Sequence, residues 1–352
     1  MTQELIIIFL STFVLAVIVT PLIIKLAKKY NLVDCPNDRK KHNGSIPLMG
    51  GLAIIIPVLI MGIILQPESE HMLGIVIGGS LIIIAGVLDD LLSLKPLTKL
   101  VIQVAAAVIV MSSGLMIEAL TVPFMGHVDL GILSYAVTLL WIIGVTNALN
   151  LIDGLDGLAS GVAAIAFGSI LVMAISDGTT VVIYLSILYV ASLLGFLVYN
   201  FYPAKIFLGD TGSLFIGYSL AVISMLGLFK NVTVFSFIVP IMVLMIPIFD
   251  TLFAIIRRTI NKQHIMTADR MHIHYVLLGL GFGHRNTVLI IYAFSIMFGA
   301  LAIVFTNATM ILSLIIMAFL VIALHFLAEL TGLVYGGRMP IIRRLKKLVN
   351  LK

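Results

Sequence analysis

The sequence predicts an all-α, polytopic integral membrane protein of about eleven transmembrane helices, and three observations predict it. Of 352 residues, 61% are hydrophobic and only 11% charged, whereas a soluble domain is nearer half apolar and about a quarter charged. Apolar segments recur along the chain at close to the roughly 20 residues that cover about 30 Å of hydrocarbon. Threading those segments back and forth leaves all but one of the 21 Lys and Arg residues on the same side. With a mean hydropathy of +1.21, water is not the solvent of most of the chain.

In order, the segments are 4–26, 47–65, 72–88, 97–117, 132–149, 157–175, 180–199, 213–228, 232–256, 288–305 and 310–326. The first has no basic region before it and ends in Lys25, Lys28 and Lys29 rather than a small-residue cleavage site. It is therefore expected to be a retained span rather than a secretion signal. The longest polar stretches, 27–46, 257–287 and a basic C-terminal tail 333–352, are connections, so residues 1–352 are expected to form a single membrane domain.

The basic residues choose the orientation. They cluster after the first segment, around Lys95 and Lys99, at Lys205, from Arg257 to Arg285 and in the tail, and only Lys230 lies opposite. The excess of Lys and Arg on cytoplasmic loops then puts the N-terminus outside and the C-terminus in the cytoplasm of a plasma membrane. The net charge of +5 needs no nucleic-acid partner, because basic loops face anionic headgroups of membrane lipids. The tail motif Arg343-Arg344-Leu345-Lys346-Lys347 suits an interfacial helix. Cys35 is the only cysteine, so neither an intrachain disulfide nor a cysteine-based metal site can form. The oligomeric state is open, a homodimer being compatible with the sequence.

Of the sixteen acids, six lie in short outer loops and are read as solvated. Five of the ten inner acids fall in glycine-punctuated motifs: Asp89-Asp90, Asp153-Gly-Leu-Asp156-Gly, and Gly209-Asp210-Thr-Gly-Ser213. Any one of these at a span end could simply be wet. Three loops that bring carboxylates to one membrane depth repel one another unless a cation joins them. Oxygen ligands with few His and no Cys suggest Mg²⁺, with Mn²⁺ able to substitute. Asn147, Asn150, Asp153 and Asp156 recur every three residues, which gathers them on one side of a helix end. Gly209–Ser213 opens a helix whose free N–H groups favour a phosphate, although Asp-Thr-Gly-Ser is also an ordinary N-cap.

The loop Asp269-Arg270-Met-His272-Ile-His274-Tyr275 sets two imidazoles and a guanidinium on the same side. These could ligate zinc, but no Cys or tight third His supports that, and contact with a diphosphate is the preferred reading. Arg39-Lys40-Lys41-His42 runs into Pro47 and Gly50-Gly51, a patch that attracts anions or serves only as a positive-inside anchor.

Taken together, these motifs resemble the polyprenyl-phosphate N-acetylhexosamine-1-phosphate transferases, the superfamily that also holds the bacterial phospho-MurNAc-pentapeptide translocase. The similarity runs from Asp34-Cys-Pro-Asn-Asp-Arg39-Lys-Lys-His42 to His272-Ile-His274, and the order and shared side of the motifs make the set specific. The resemblance implies that Asp89, Asp90 and Lys99 meet a lipid phosphate and that Asp210, helped by Asn150, binds Mg²⁺. It further implies that Asp153 and Asp156, with Asn147 and Asn150, lie at the nucleotide, and that Arg270, His272 and His274 meet the donor diphosphate beside Arg39, Lys40 and His42. The catalytic set is then Asp89, Asp90, Lys99, Asp153, His272 and His274. Where the family loop usually has a further His this chain has Tyr275, a phenol that can hydrogen-bond but does not replace an imidazole as an acid–base group.

The loop type resembles the UDP-N-acetylglucosamine branch, so the expected reaction is transfer of GlcNAc-1-phosphate from UDP-GlcNAc to undecaprenyl phosphate, with UMP released. That branch includes enzymes that initiate teichoic-acid synthesis. Direct attack by the lipid phosphate is expected, with a double displacement through an aspartyl-phosphate as the alternative. Three rival readings remain: the muramyl-pentapeptide translocase, a cation-coupled transporter, whose ionisable residues should cluster at mid-membrane, and a non-catalytic scaffold.

Overall fold

The structure is a computed structural model that describes residues 2–34, 45–122, 126–228, 238–264 and 271–331. Helix α1 (Thr2–Lys29) leads through a two-stranded antiparallel pair, β1 (Val33–Asp34) and β2 (Ile46–Pro47), into α2 (Gly50–Leu65). Then follow α3 (Met72–Leu92), α4 (Pro96–Ser112) and a hairpin of β3 (Ala119–Val122) with β4 (Gly126–Asp129), in register Ala119↔Asp129 to Val122↔Gly126. The chain continues as α5 (Leu133–Ile152), α6 (Leu158–Asp177), α7 (Thr180–Asn200) and α8 (Gly209–Leu228). It ends in α9 (Ile238–Val243), α10 (Met245–Ile260), α11 (Ile273–Gly279), α12 (His284–Thr306) and α13 (Met310–Leu330). The two small hairpins are additions to the all-helical expectation.

Among the described residues, eight helices are long and apolar enough to cross a membrane, and α2 and α4 are shorter apolar helices. The expected segment 232–256 is not one helix: α9 stops at Val243 and α10 starts at Met245. Pro247 accounts for the break, since it has no N–H for the Val243 carbonyl and its ring crowds that group, whereas it is tolerated in the first turn of a new helix. Two other boundaries bear on the site. Helix α3 runs a turn beyond its apolar stretch, so Asp89 and Asp90 are in its last turn, and α8 begins at Gly209 rather than Ser213.

Large apolar side chains face outward, including Ile7 and Ile18 on α1 and Ile311 and Ile322 on α13. That surface suits hydrocarbon, where every backbone group must be satisfied within the helix. Helix α8 is the centre: 83% of its span is buried, against 22% for α13, and it packs on α2, α3, α5, α6, α7 and α9. Lipid tails are as apolar as leucine, so helices in a bilayer are held by close packing and hydrogen bonds between them. Gly86 shows how this works on α3, because a Cβ there would come within 2.9 Å of the Asp210 carbonyl oxygen. The first turn of α8 is thereby set directly against the last turns of α3.

Candidate active site

The end of α3 holds the start of α8. Asp90 Oδ1 accepts the Asp210 N–H at 2.8 Å, and Oδ2 accepts the Thr211 N–H at 3.1 Å and the Thr211 hydroxyl at 2.6 Å. The first N–H groups of a helix lack intrahelical acceptors, and a carboxylate also suits the positive end of the helix dipole. Asp90 is thus a cap delivered from another helix. Gly209, at φ 73°, makes room for it, since a Cβ there would lie 2.7 Å from Asp90 Oδ2.

With the turn fixed, Asp210 points into a charge network. Lys99 Nζ donates to Asp210 Oδ2 at 2.8 Å and to Asp89 Oδ2 at 3.1 Å, so one ammonium from α4 is shared by carboxylates from α3 and α8. Asn150 Nδ2 donates to Asp210 Oδ1 at 3.1 Å and to Ser213 Oγ at 2.9 Å, which brings in the end of α5. Asp89 Oδ1 also accepts the Leu94 N–H at 2.7 Å, where the chain turns from α3 to α4. All three charged side chains remain partly open, between 12% and 27% exposed, so they can meet a ligand.

The turn after α5 forms the next wall. Among the described residues no donor reaches the Asp153 carboxylate; burial first, then the negative charges of Asp210, Asp90 and Asp156, push its pKa up to about 8. Asp156 has a different environment: its Oδ2 accepts the Ala204 N–H at 3.0 Å, and its own N–H donates to His284 Nε2 at 3.0 Å. The latter makes Nε2 of His284 the acceptor, so the ring proton is on Nδ1. Asp156 therefore ties the turn to the loop after α7 and to the start of α12.

His272 and His274 reach the site from the loop before α12. Their rings are nearly parallel with centroids 5.9 Å apart. His272 Nδ1 donates to Asp250 Oδ2 at 2.8 Å, and Asp250 Oδ1 accepts the Ile273 N–H at 2.8 Å. Both nitrogens of His274 are buried without a hydrogen-bond partner among the described residues. Burial, partly opposed by Asp250, lowers its pKa to about 4, so the ring is neutral near pH 7. The ring packs on Gly154, where a Cβ would come within 2.9 Å of His274 Cε1. That contact seats the histidine loop on the Asp153–Asp156 turn. Tyr275 is 42% exposed, with its ring 4.2 Å from that of His274.

The structure therefore joins Asp89, Asp90, Lys99, Asn150 and Asp210 in one network, with Asp153, Asp156, His272 and His274 on the adjoining turn and loop. Asn147 is turned away into a mutual amide pair: its Nδ2 donates to Gln103 Oε1 at 2.6 Å, one helical turn beyond Lys99 on α4. Arg39, Lys40, His42, Arg270 and the tail 333–352 lie outside the described residues. Sequence reasoning missed Asp250, although a single carboxylate in the apolar run of α10 was the available signal. It also missed Gln103, the lone amide of α4.

Among the described residues there is no group of three or more His, Cys, Asp or Glu able to hold a metal. The donors present still fit Mg²⁺, which is commonly held by one or two carboxylates and completes its shell with water and substrate phosphate. Asp210 is such a carboxylate, and it lies with the Asn150 amide beside a cation that already bridges two acids.

A bundle of membrane-length helices whose inner ends gather carboxylates, an ammonium and imidazoles defines a membrane enzyme class that handles phosphate esters. Residues 72–228 match the model of glycosyl transferase family 4. The chain is 46% identical over 345 residues to the probable undecaprenyl-phosphate N-acetylglucosaminyl 1-phosphate transferase of Bacillus subtilis strain 168, covering 97% of this chain and 96% of that one. It is 33% identical to the decaprenyl-phosphate N-acetylglucosaminephosphotransferase of Mycolicibacterium smegmatis, over 86% of this chain and 83% of the relative. It is 30% identical to the undecaprenyl-phosphate alpha-N-acetylglucosaminyl 1-phosphate transferase of Escherichia coli K12, over 76% and 74%. The chain belongs to glycosyl transferase family 4.

Proposed function

We propose that this protein transfers GlcNAc-1-phosphate from UDP-GlcNAc to undecaprenyl phosphate, giving undecaprenyl-diphosphate-GlcNAc and UMP. This would be the first membrane step of a cell-wall polymer, teichoic acid being the preferred one. The observation that carries the reading is Lys99, an ammonium shared by carboxylates of two helices at the end of the bundle where the histidine loop also arrives. The names of the three relatives support the donor sugar and the polyprenyl acceptor.

In this reading an oxygen of the dianionic lipid phosphate attacks the sugar-side phosphorus. The bond from that phosphorus to the bridging oxygen breaks, UMP keeps that oxygen, and no net proton moves. Lys99 attracts and orients the lipid phosphate, with Asp89 setting the position of the ammonium. His272 and His274 line the donor side, where positioning and charge compensation do most of the work. Direct attack is favoured over an aspartyl-phosphate because both oxygens of Asp90 are occupied by the first turn of α8 and Asp89 is held by Lys99 and the Leu94 N–H. Mg²⁺, held by Asp210 with Asn150, would neutralise charge on the diphosphate, and Mn²⁺ would substitute.

The proposal includes eleven passes, with the interrupted α9–α10 segment as one of them, the N-terminus outside and the site on the cytoplasmic face of the plasma membrane. One-sided basic residues support this orientation. The test is transfer of radiolabel from UDP-[¹⁴C]GlcNAc to undecaprenyl phosphate by purified protein, with EDTA, Mg²⁺ or Mn²⁺, beside Asp210→Asn. Labelled lipid and UMP that require the metal and vanish in the variant are expected. Transfer only from a muramyl-pentapeptide donor would reassign the substrate, and no transfer from either would overturn the reading.

A further inference from the structure

Asp250 is the only carboxylate of α10, and it is 6% exposed. A buried carboxylate persists where its oxygens find donors, and here the two donors are consecutive. Oδ2 accepts from Nδ1 of His272 and Oδ1 from the N–H of Ile273, each at 2.8 Å. A single carboxylate thus holds both the imidazole and the backbone beside it, so the ring cannot turn about its side-chain bonds without breaking one contact or move with its loop without breaking both. Since the carboxylate accepts, Nδ1 carries a proton, and Nε2 is the nitrogen left for a ligand. His274, two residues on, has no partner at either nitrogen among the described residues. Orientation by a carboxylate distinguishes His272 from its neighbour.

We propose that Asp250 is a positioning residue for phosphoryl transfer: it grips His272 through Nδ1, directs Nε2 at the diphosphate of the sugar nucleotide, and balances the charge of the imidazolium that donates a hydrogen bond there. The proton stays on His272. The negative charge that develops as UMP departs is met by a donor already in place, and such preorganised donors contribute strongly where water is excluded. This inference rests on the transferase reading and adds a residue that does not itself touch substrate.

The test compares the purified full chain with Asp250→Asn, Asp250→Glu, His272→Gln and the Asp250→Asn/His272→Gln pair. Asp250→Asn is expected to lower kcat by about 100-fold and to leave the KM for undecaprenyl phosphate within about threefold. Asp250→Glu, which keeps the charge, should recover at least about a tenth of the lost rate. In the His272→Gln background, Asp250→Asn should cost less than about twofold, because the residue acts through that imidazole. An equal loss in both backgrounds would mark a merely structural role and overturn the proposal. Nitrogen-15 NMR of labelled histidine is independent of any assay: His272 should hold its proton at Nδ1 in the parent and exchange it rapidly in Asp250→Asn. A His272 without a proton at Nδ1 overturns the proposal even if the protein transfers sugar phosphate. A parent that does not transfer, yet shows the protonated Nδ1, sinks the transferase reading and leaves Asp250 as the anchor of His272.

Discussion

Asp90 caps a helix to which it does not belong, its Oδ2 accepting the Thr211 hydroxyl at 2.6 Å and the Thr211 N–H at 3.1 Å. Adjacent carboxylates on α3 therefore face different tasks: Asp90 holds the first turn of α8, and Asp89 meets the ammonium of Lys99. The cap also fixes where Asp210 points, since Asp210 is the residue whose N–H occupies the other Asp90 oxygen.

Asp90→Ala removes the cap. Loss of a helix N-cap costs about 1 to 2 kcal/mol, so the purified protein should melt several degrees lower. Transfer should fall as well, because Asp210 shifts with the turn. Unchanged melting would mean that the N–H groups of α8 find other acceptors.

Lys99→Gln leaves the carboxylates of Asp89 and Asp210 facing each other without the shared cation. Transfer should drop by about 100-fold or more, the size expected for removing a preorganised electrostatic partner. A weaker KM for the lipid phosphate should accompany the loss, and both are read from initial rates across acceptor concentration. Lys99→Arg should rescue poorly, since a planar fork does not replace a compact point charge.

Asp153→Asn should raise the stability of the metal-free protein in a pH-dependent way. The folded state lifts the pKa of Asp153 from 3.8 to about 8, so it binds the proton more tightly than the unfolded chain does. That contribution is complete below pH 3.8 and is lost as pH rises toward about 8. The melting temperature of the variant should exceed that of the parent by a gap that widens from pH 5 to pH 8 and then levels. A gap independent of pH would remove the electrostatic account.

Gly209→Ala should disrupt the site without touching a charged group. At φ 73° an L side chain costs about 1 to 2 kcal/mol, and its Cβ would press on Asp90 Oδ2 at 2.7 Å. Lower melting temperature together with a rate loss at least as large as that of Asp90→Ala is the expected outcome. Full activity would show that the cap tolerates displacement.

Much of the site was legible because phosphate chemistry at a membrane surface needs carboxylates, ammonium and imidazole groups where apolar sequence makes each one conspicuous. Asp89, Lys99, Asn150 and Asp210 stood out this way, and the structure joins them. Asp250 did not, since it is nine residues from the end of α10 by number and its partner His272 is 22 residues away across a loop. Asn147 stood out by its spacing with Asn150, yet it turns into a pair with Gln103, because residues three apart on a helix are neighbours only approximately and α4 was there to accept one and not the other. The break at Leu244 was hidden as well: hydropathy averages over a window, whereas Pro247 acts on one carbonyl.

The sequence by itself determined the solvent of the chain, the membrane-length helices and the common side of the charged motifs, because burial in hydrocarbon is paid residue by residue and leaves its mark on composition and spacing. Only the tertiary structure decided which acid does what. Asp89 and Asp90 are chemically identical neighbours, and they differ because successive residues on a helix point about 100° apart, so that α8 stands in front of one and Lys99 in front of the other.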